Sequence, residues 1–396
     1  MRCVHAQPVS GGVDVRVPLW RSRGMQALIG VTVLGFASYC LTLASLPVYA
    51  VRGGAAESTA GVVTAVLLTV TIAGQSAVPA LTRRFGVGPV LLAGLLAMGL
   101  PSPFYVLDDG LAWICALSAV RGAGFAVLTV LGATLAARVA PPERRGASIG
   151  LYGLAIAVPN LVAVPAGAAL VLDGHVGWLS WLAASPVLGV LLVPMLVRSV
   201  APEPPPGPAG SGRTAMRAAL TPSVVLFVVT MAGGGLVTFL PIERPDGVLA
   251  TVALLVFGIT GAVTRWRAGA LADRLGTGLL LPAALAVAGV GLAGTALGLS
   301  TGPVWLLIGA AVFGAGFGAV QNLTLVAAFA RAGEGGTTTA SAMWNASFDA
   351  GMAIGALVLG FVAAGIGLDW TYVVVAALLV SAVPLAAAAA RVVIRS

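Results

Sequence analysis

A chain of 396 residues that is 59% hydrophobic and only 9% charged, with a mean hydropathy of +1.04, cannot cover itself with a water-facing surface, and this excludes a soluble globular domain. Its formal net charge of +8 rests on arginines scattered singly or in pairs, not gathered with aromatics on one face, which points to anionic lipid headgroups and away from nucleic acid. The only histidines are His5 and His175 and the only cysteines Cys3, Cys40 and Cys115, so no cofactor, metal cluster, disulfide framework or membrane-embedded catalytic centre is expected.

Residues 1–24 form a polar tail with Arg2, Arg16, Arg21 and Arg23 ahead of the first apolar run. That run is too long for a signal-peptide core and lacks a cleavage site, so it is read as a retained span, with Met25 as an alternative start. Twelve apolar stretches lie roughly at 25–50, 59–81, 87–107, 111–137, 146–172, 178–198, 222–242, 247–266, 278–299, 303–330, 338–364 and 370–392. Each is near the ~20 residues that cross ~30 Å of hydrocarbon. A transmembrane β-barrel would need ~10-residue segments of alternating polarity, whereas these runs are long and unalternating. The expected fold is an all-α membrane protein of twelve transmembrane helices.

Residues 201–221 are rich in Pro and Gly and read as an extended linker between a six-helix half at 25–200 and another at 222–396. The halves repeat each other. Residues 119–125 read AVRGAGF and residues 311–317 read AVFGAGF, an offset of 192 with Arg121 in place of Phe313. Arg84 and Gly86 recur as Arg274 and Gly276 at an offset of 190. An even number of spans gives both copies one orientation, as for repeats related by an axis along the membrane normal with a substrate site at their interface. All 21 basic residues are Arg, and this layout assigns all but Arg52, Arg121 and Arg244 to the tails and the even-to-odd loops, where acids are few. Those surfaces, with both termini, are expected on the cytoplasmic side of the inner membrane.

Gly269, Leu271, Ala272, Asp273, Arg274 and Gly276 reproduce a G-x-L-A-D-R-x-G loop after span 8, whereas the equivalent N-terminal loop, PALTRRFG, keeps only Arg84 and Gly86. Together with Arg121 in an R-x-x-x-G-like element of span 4, these residues make residues 25–394 resemble a twelve-span member of the major facilitator superfamily. The resemblance implies two pseudo-symmetric six-helix halves, alternating access and a gating latch at Gly269, Asp273, Arg274 and Gly276. We expect Asp273 to dock at the start of span 5 near Arg144 and Arg145, because a short acid there accepts from free backbone N–H groups; an ordinary solvated loop salt bridge is the competing reading. The stretch VPNLVAVPAGAA in span 5 is similar to the pattern of drug-for-proton exporters in Pro165 and Gly167, but Val164 stands where that pattern has glycine.

Ser341, Asn345 and Asp349 fall at i, i+4 and i+8 and stack on one face of span 11, which must meet protein or water. Counted from opposite surfaces at 1.5 Å per residue, Asp349 lies ~16 Å and Arg121 ~15 Å deep. At the paired repeat positions stand Ile156 and Phe313, so one half supplies the cation and the other the anion. Burial disfavours a carboxylate and a nearby guanidinium favours it, so the pair is expected to couple protons to transport; a permanent ion pair, or capping of carbonyls by Arg121, is the alternative. Gln75, Asn160, Gln321, Asn322, Tyr39 and Trp344 complete the expected cavity, although interhelical bonds and packing are equally ordinary uses of such residues. The expected protein is a monomeric secondary transporter that exports a small amphipathic molecule in exchange for protons, with proton-coupled import as the alternative.

Overall fold

The computed structural model describes residues 18–43, 45–55, 57–200, 211–243 and 248–391. Tail residues 1–17 with Cys3 and His5, linker residues 201–210, Arg244, Asp246 and residues 392–396 lie outside the described residues. Among the described residues all regular structure is helical. Twelve segments are long and apolar enough to span a membrane. Spans 1 to 6 are Arg23–Arg52, Gly61–Phe85, Val87–Val106, Leu111–Val139, Pro142–Leu172 and Val176–Arg198. Spans 7 to 12 are Gly212–Pro241, Val248–Leu275, Leu280–Thr301, Pro303–Ala332, Thr337–Ile366 and Leu368–Ala390. The protein is a multi-pass, all-α membrane protein.

Two of the boundaries that differ from the sequence reading bear on the site. The helix of span 7 begins at Ser211, so the second half of the expected linker is helical; TAMRAAL, residues 214–220, is made largely of strong helix formers and continues the apolar helix into its basic flank. Span 8 runs to Leu275, which places Arg265 ten residues inside a helix and not in the loop to which the charge count assigned it. Spans 2 and 8 end at Gly86 and Gly276, whose φ values of 83° and 73° belong to the left-handed region that glycine alone enters without strain. This is the physical content of the glycine that both loops keep.

The repeated cassette is a packing unit. A Cβ on Gly122 would lie 2.5 Å from the Leu67 carbonyl oxygen, and one on Gly124 would lie 2.5 Å from that of Gly94, so span 4 lies backbone-to-backbone on spans 2 and 3. In the second half, Gly314 and Gly316 are blocked by the carbonyls of Phe257 and Ala284, which follow Leu67 and Gly94 by 190 positions. Spans 5 and 11 pair the same way, with Gly167 against the Leu41 carbonyl and Gly355 against that of Met231. That match sets their offset at 188 and puts Leu161, not Ile156, opposite Asp349. The halves themselves meet along spans 5 and 8 and along spans 2 and 11.

Candidate functional site

Polar contacts between the halves occur in levels that start at the arginine-rich end. At the first level, the N–H groups of Gly146 and Ala147 donate to the two carboxylate oxygens of Asp273 at 2.7 and 2.8 Å. They belong to the first turn of the helix Arg145–Leu172, whose leading N–H groups have no partner within the helix and carry the positive end of its dipole. Gly146 and Gly269 face each other so closely that a Cβ on either would strike the carbonyl of the other. Of the remaining motif residues, Arg274 is exposed and Gly276 forms the turn.

At the next level lies a charge that the sequence reading missed. Arg265 of span 8 is buried, and its Nη1 donates to Gln321 Oε1 at 2.9 Å. Its guanidinium carbon lies 6.0 Å from the centroid of the Trp344 ring, and Trp344 Nε1 donates to Thr324 at 3.0 Å. Asn322, beside Gln321, is fully buried with neither amide atom hydrogen-bonded. The repeat offset of 190 pairs Arg265 with Gln75, and that pairing of an arginine with a glutamine was the available sequence signal.

Alongside these, the polar face of span 11 meets spans 4 and 2, from Ser341 near the arginine-rich end to Asp349 furthest in. Ser341 Oγ donates to the Val130 carbonyl at 2.7 Å, and Asn345 Nδ2 donates to those of Ser341 at 2.9 Å and Thr129 at 3.4 Å. Gln75 Nε2 donates to Asp349 Oδ2 at 2.8 Å and to Thr129 Oγ1 at 3.4 Å. Gln75, Ser341 and Asn345 are buried, while Asp349 is half-buried. Tyr39, stacked on Phe125 with centroids 4.1 Å apart, is within electrostatic reach of Asp349. Asn160 stands apart, exposed and donating to the Ile156 carbonyl of its own helix at 3.1 Å.

Arg121 is not brought to Asp349. Its Nε donates to the Met98 carbonyl at 3.1 Å, its Nη2 to the Ser38 carbonyl and hydroxyl at 3.1 and 2.9 Å, and its Nη1 to the Tyr105 hydroxyl at 3.5 Å. The Tyr105 ring centroid lies 5.6 Å away. Met98 is the penultimate residue of the helix Val87–Gly99, so its carbonyl is one of those a helix end leaves open. The guanidinium therefore caps a helix break inside span 3 and ties spans 1, 3 and 4 of one half together. Equal depth put Arg121 and Asp349 on one plane, but helix rotation decided their partners.

Residues 27–348 match the profile of the family described as Major Facilitator Superfamily. An uncharacterized MFS-type transporter, Rv1250 of Mycobacterium tuberculosis (strain ATCC 25618 / H37Rv), is 30% identical over 125 residues, 31% of this chain and 21% of that protein, so the match spans about a fifth of the relative's length. Among solved structures, the human organic anion transporter MFSD10 (TETRAN) superposes with a TM-score of 0.72 at 17% identity over 94% of this chain and 100% of the other. The transporter FucP, described in the outward conformation, gives 0.72 at 15% identity over 93% and 98%. These two likenesses are of fold. With its profile match, twelve spans and duplicated half packing, this chain belongs to the major facilitator superfamily and is a secondary transporter, not an enzyme.

Proposed function

We propose that the transporter exchanges a small amphipathic organic molecule for protons across the cytoplasmic membrane, with Asp349 as the proton-carrying group and export as the direction. The observation that carries this reading is the Gln75–Asp349 hydrogen bond, which joins the two halves at the inner limit of their polar contacts. An amide has both a donor and an acceptor face. As Nε2 donates to the carboxylate now, the amide turned over would accept from a protonated Asp349 through Oε1, which has no partner here. Gln75 thus serves either protonation state, so the acid can take up and release a proton without leaving its partner.

The Asp273 contact supports the rest of the cycle. It fastens span 8 to span 5 at the arginine-rich end, and with that end in the cytoplasm the state is closed inward. Arg121 takes a positioning role in this scheme, because every hydrogen bond it makes lies within the first half.

The test is Asp349→Asn in proteoliposomes. Exchange of labelled for unlabelled substrate should persist, while accumulation driven by an imposed pH gradient should be lost. Undiminished gradient-driven accumulation removes Asp349 from the mechanism, and uptake with protons in place of exchange overturns the direction.

A further inference from the structure

The Arg265 level has no task in proton coupling. Arg265 is about nine-tenths buried, and its guanidinium has one neutral hydrogen-bond acceptor among the described residues, Gln321. Among the described residues, no hydrogen bond reaches Nε and none satisfies either amide atom of Asn322. A buried charge with no counterion and several unmet donors is costly unless something periodically satisfies it. The surroundings are also of one kind. Tyr152, Trp344 and the amides are neutral and among the described residues no carboxylate pairs with Arg265, so what is missing is an anion.

The cluster also lies on a moving seam. Gly153 of span 5 leaves room for it, since a Cβ there would lie 2.5 Å from Arg265 Nε. A Cβ on Gly269, in the latch itself, would lie 2.9 Å from Asn322 Nδ2. Spans 5 and 8 must part for the site to open toward the arginine-rich end, and parting them uncovers Arg265, Gln321 and Asn322 together. The repeat adds specificity, because at the position equivalent to Arg265 the first half has Gln75, already engaged by Asp349. The second half therefore carries both the acid, which the first half meets with Gln75, and a cation left for something else.

We infer that Arg265, Gln321 and Asn322 form a subsite that takes the carboxylate or sulfonate of an anionic organic substrate when the arginine-rich end opens, with Trp344 packing beside the guanidinium. The inference rests on the transporter reading above and deepens it by naming the substrate class. A planar guanidinium and two amides offer several N–H donors to an oxyanion, a match that neutral substrates lack. The Trp344 ring beside the guanidinium suits an organic remainder.

The test uses the full-length protein in detergent with hexanoate, hexanesulfonate, neutral hexanamide and chloride as probes, read by thermal shift. The two organic anions should raise the unfolding midpoint, because a ligand that binds only the folded state stabilises it, while hexanamide should not. Arg265→Gln should weaken the anion response about tenfold or more, the equivalent of one charge-assisted hydrogen bond, and Arg265→Lys should retain part of it. Asp273→Asn, which loosens the latch, should strengthen it. Equal stabilisation by hexanamide, or an anion response unchanged in Arg265→Gln, overturns the subsite. Stabilisation by chloride alone overturns the substrate class. Loss of proton coupling in Asp349→Asn is measured separately, so either reading can fail while the other stands. A midpoint and size-exclusion profile like the parent's in the absence of probe establish that Arg265→Gln is folded.

Discussion

Arg121 and Phe313 occupy equivalent places in the two halves, yet one satisfies a helix break and the other stacks at 5.4 Å on Phe257 in a dry aromatic cluster. Arg121→Lys should therefore destabilise the protein although it keeps the charge. An ammonium cannot reach Met98, Ser38 and Tyr105 at once as the guanidinium fork does, and the abandoned groups are buried. A loss of about 3 kcal/mol is expected, read as a lower unfolding midpoint with little change in pH-gradient coupling. Sequence alone marked Arg121 as exceptional because its cassette differs from the duplicate by one letter. Arg265 escaped notice because it lies near the end of an apolar run, where a charge reads as loop. Only a helix that continues to Leu275 shows it to be buried.

Helix ends are where the latch works. The carboxylate of Asp273 receives two first-turn N–H groups of span 5, and only glycine at 146 and 269 lets the helices approach far enough. Gly269→Ala should force them apart and favour the state open at the arginine-rich end; paired spin labels on spans 5 and 8 at that end should report a longer distance. Asp273→Ala should act in the same direction through lost capping, worth about 1 kcal/mol, enough to shift a balanced equilibrium several-fold. The motif was legible because loop chemistry is local. Its partner was legible only as the start of span 5, since which N–H groups receive the acid depends on how the helices cross.

For the molecule as a whole, cross-half hydrogen bonds run from the arginine-rich end to Asp349, so accessibility should differ sharply along the seam. In a background with the native cysteines replaced, cysteine at the exposed Asn160 should react with an impermeant maleimide, and cysteine at the fully buried Ser341 should not until the latch is loosened. Equal labelling at both positions would overturn the closed state described. Twelve spans, two like halves and a polar face on span 11 followed from the sequence alone, because hydrocarbon imposes length and composition on every segment and duplication leaves an offset that can be counted. The partners were decided only in three dimensions. Asp349 meets Gln75 and not Arg121, and Arg265 stands without a counterion among the described residues, because depth is set by position along a helix whereas contact is set by its rotation and by which backbones the glycines allow to touch.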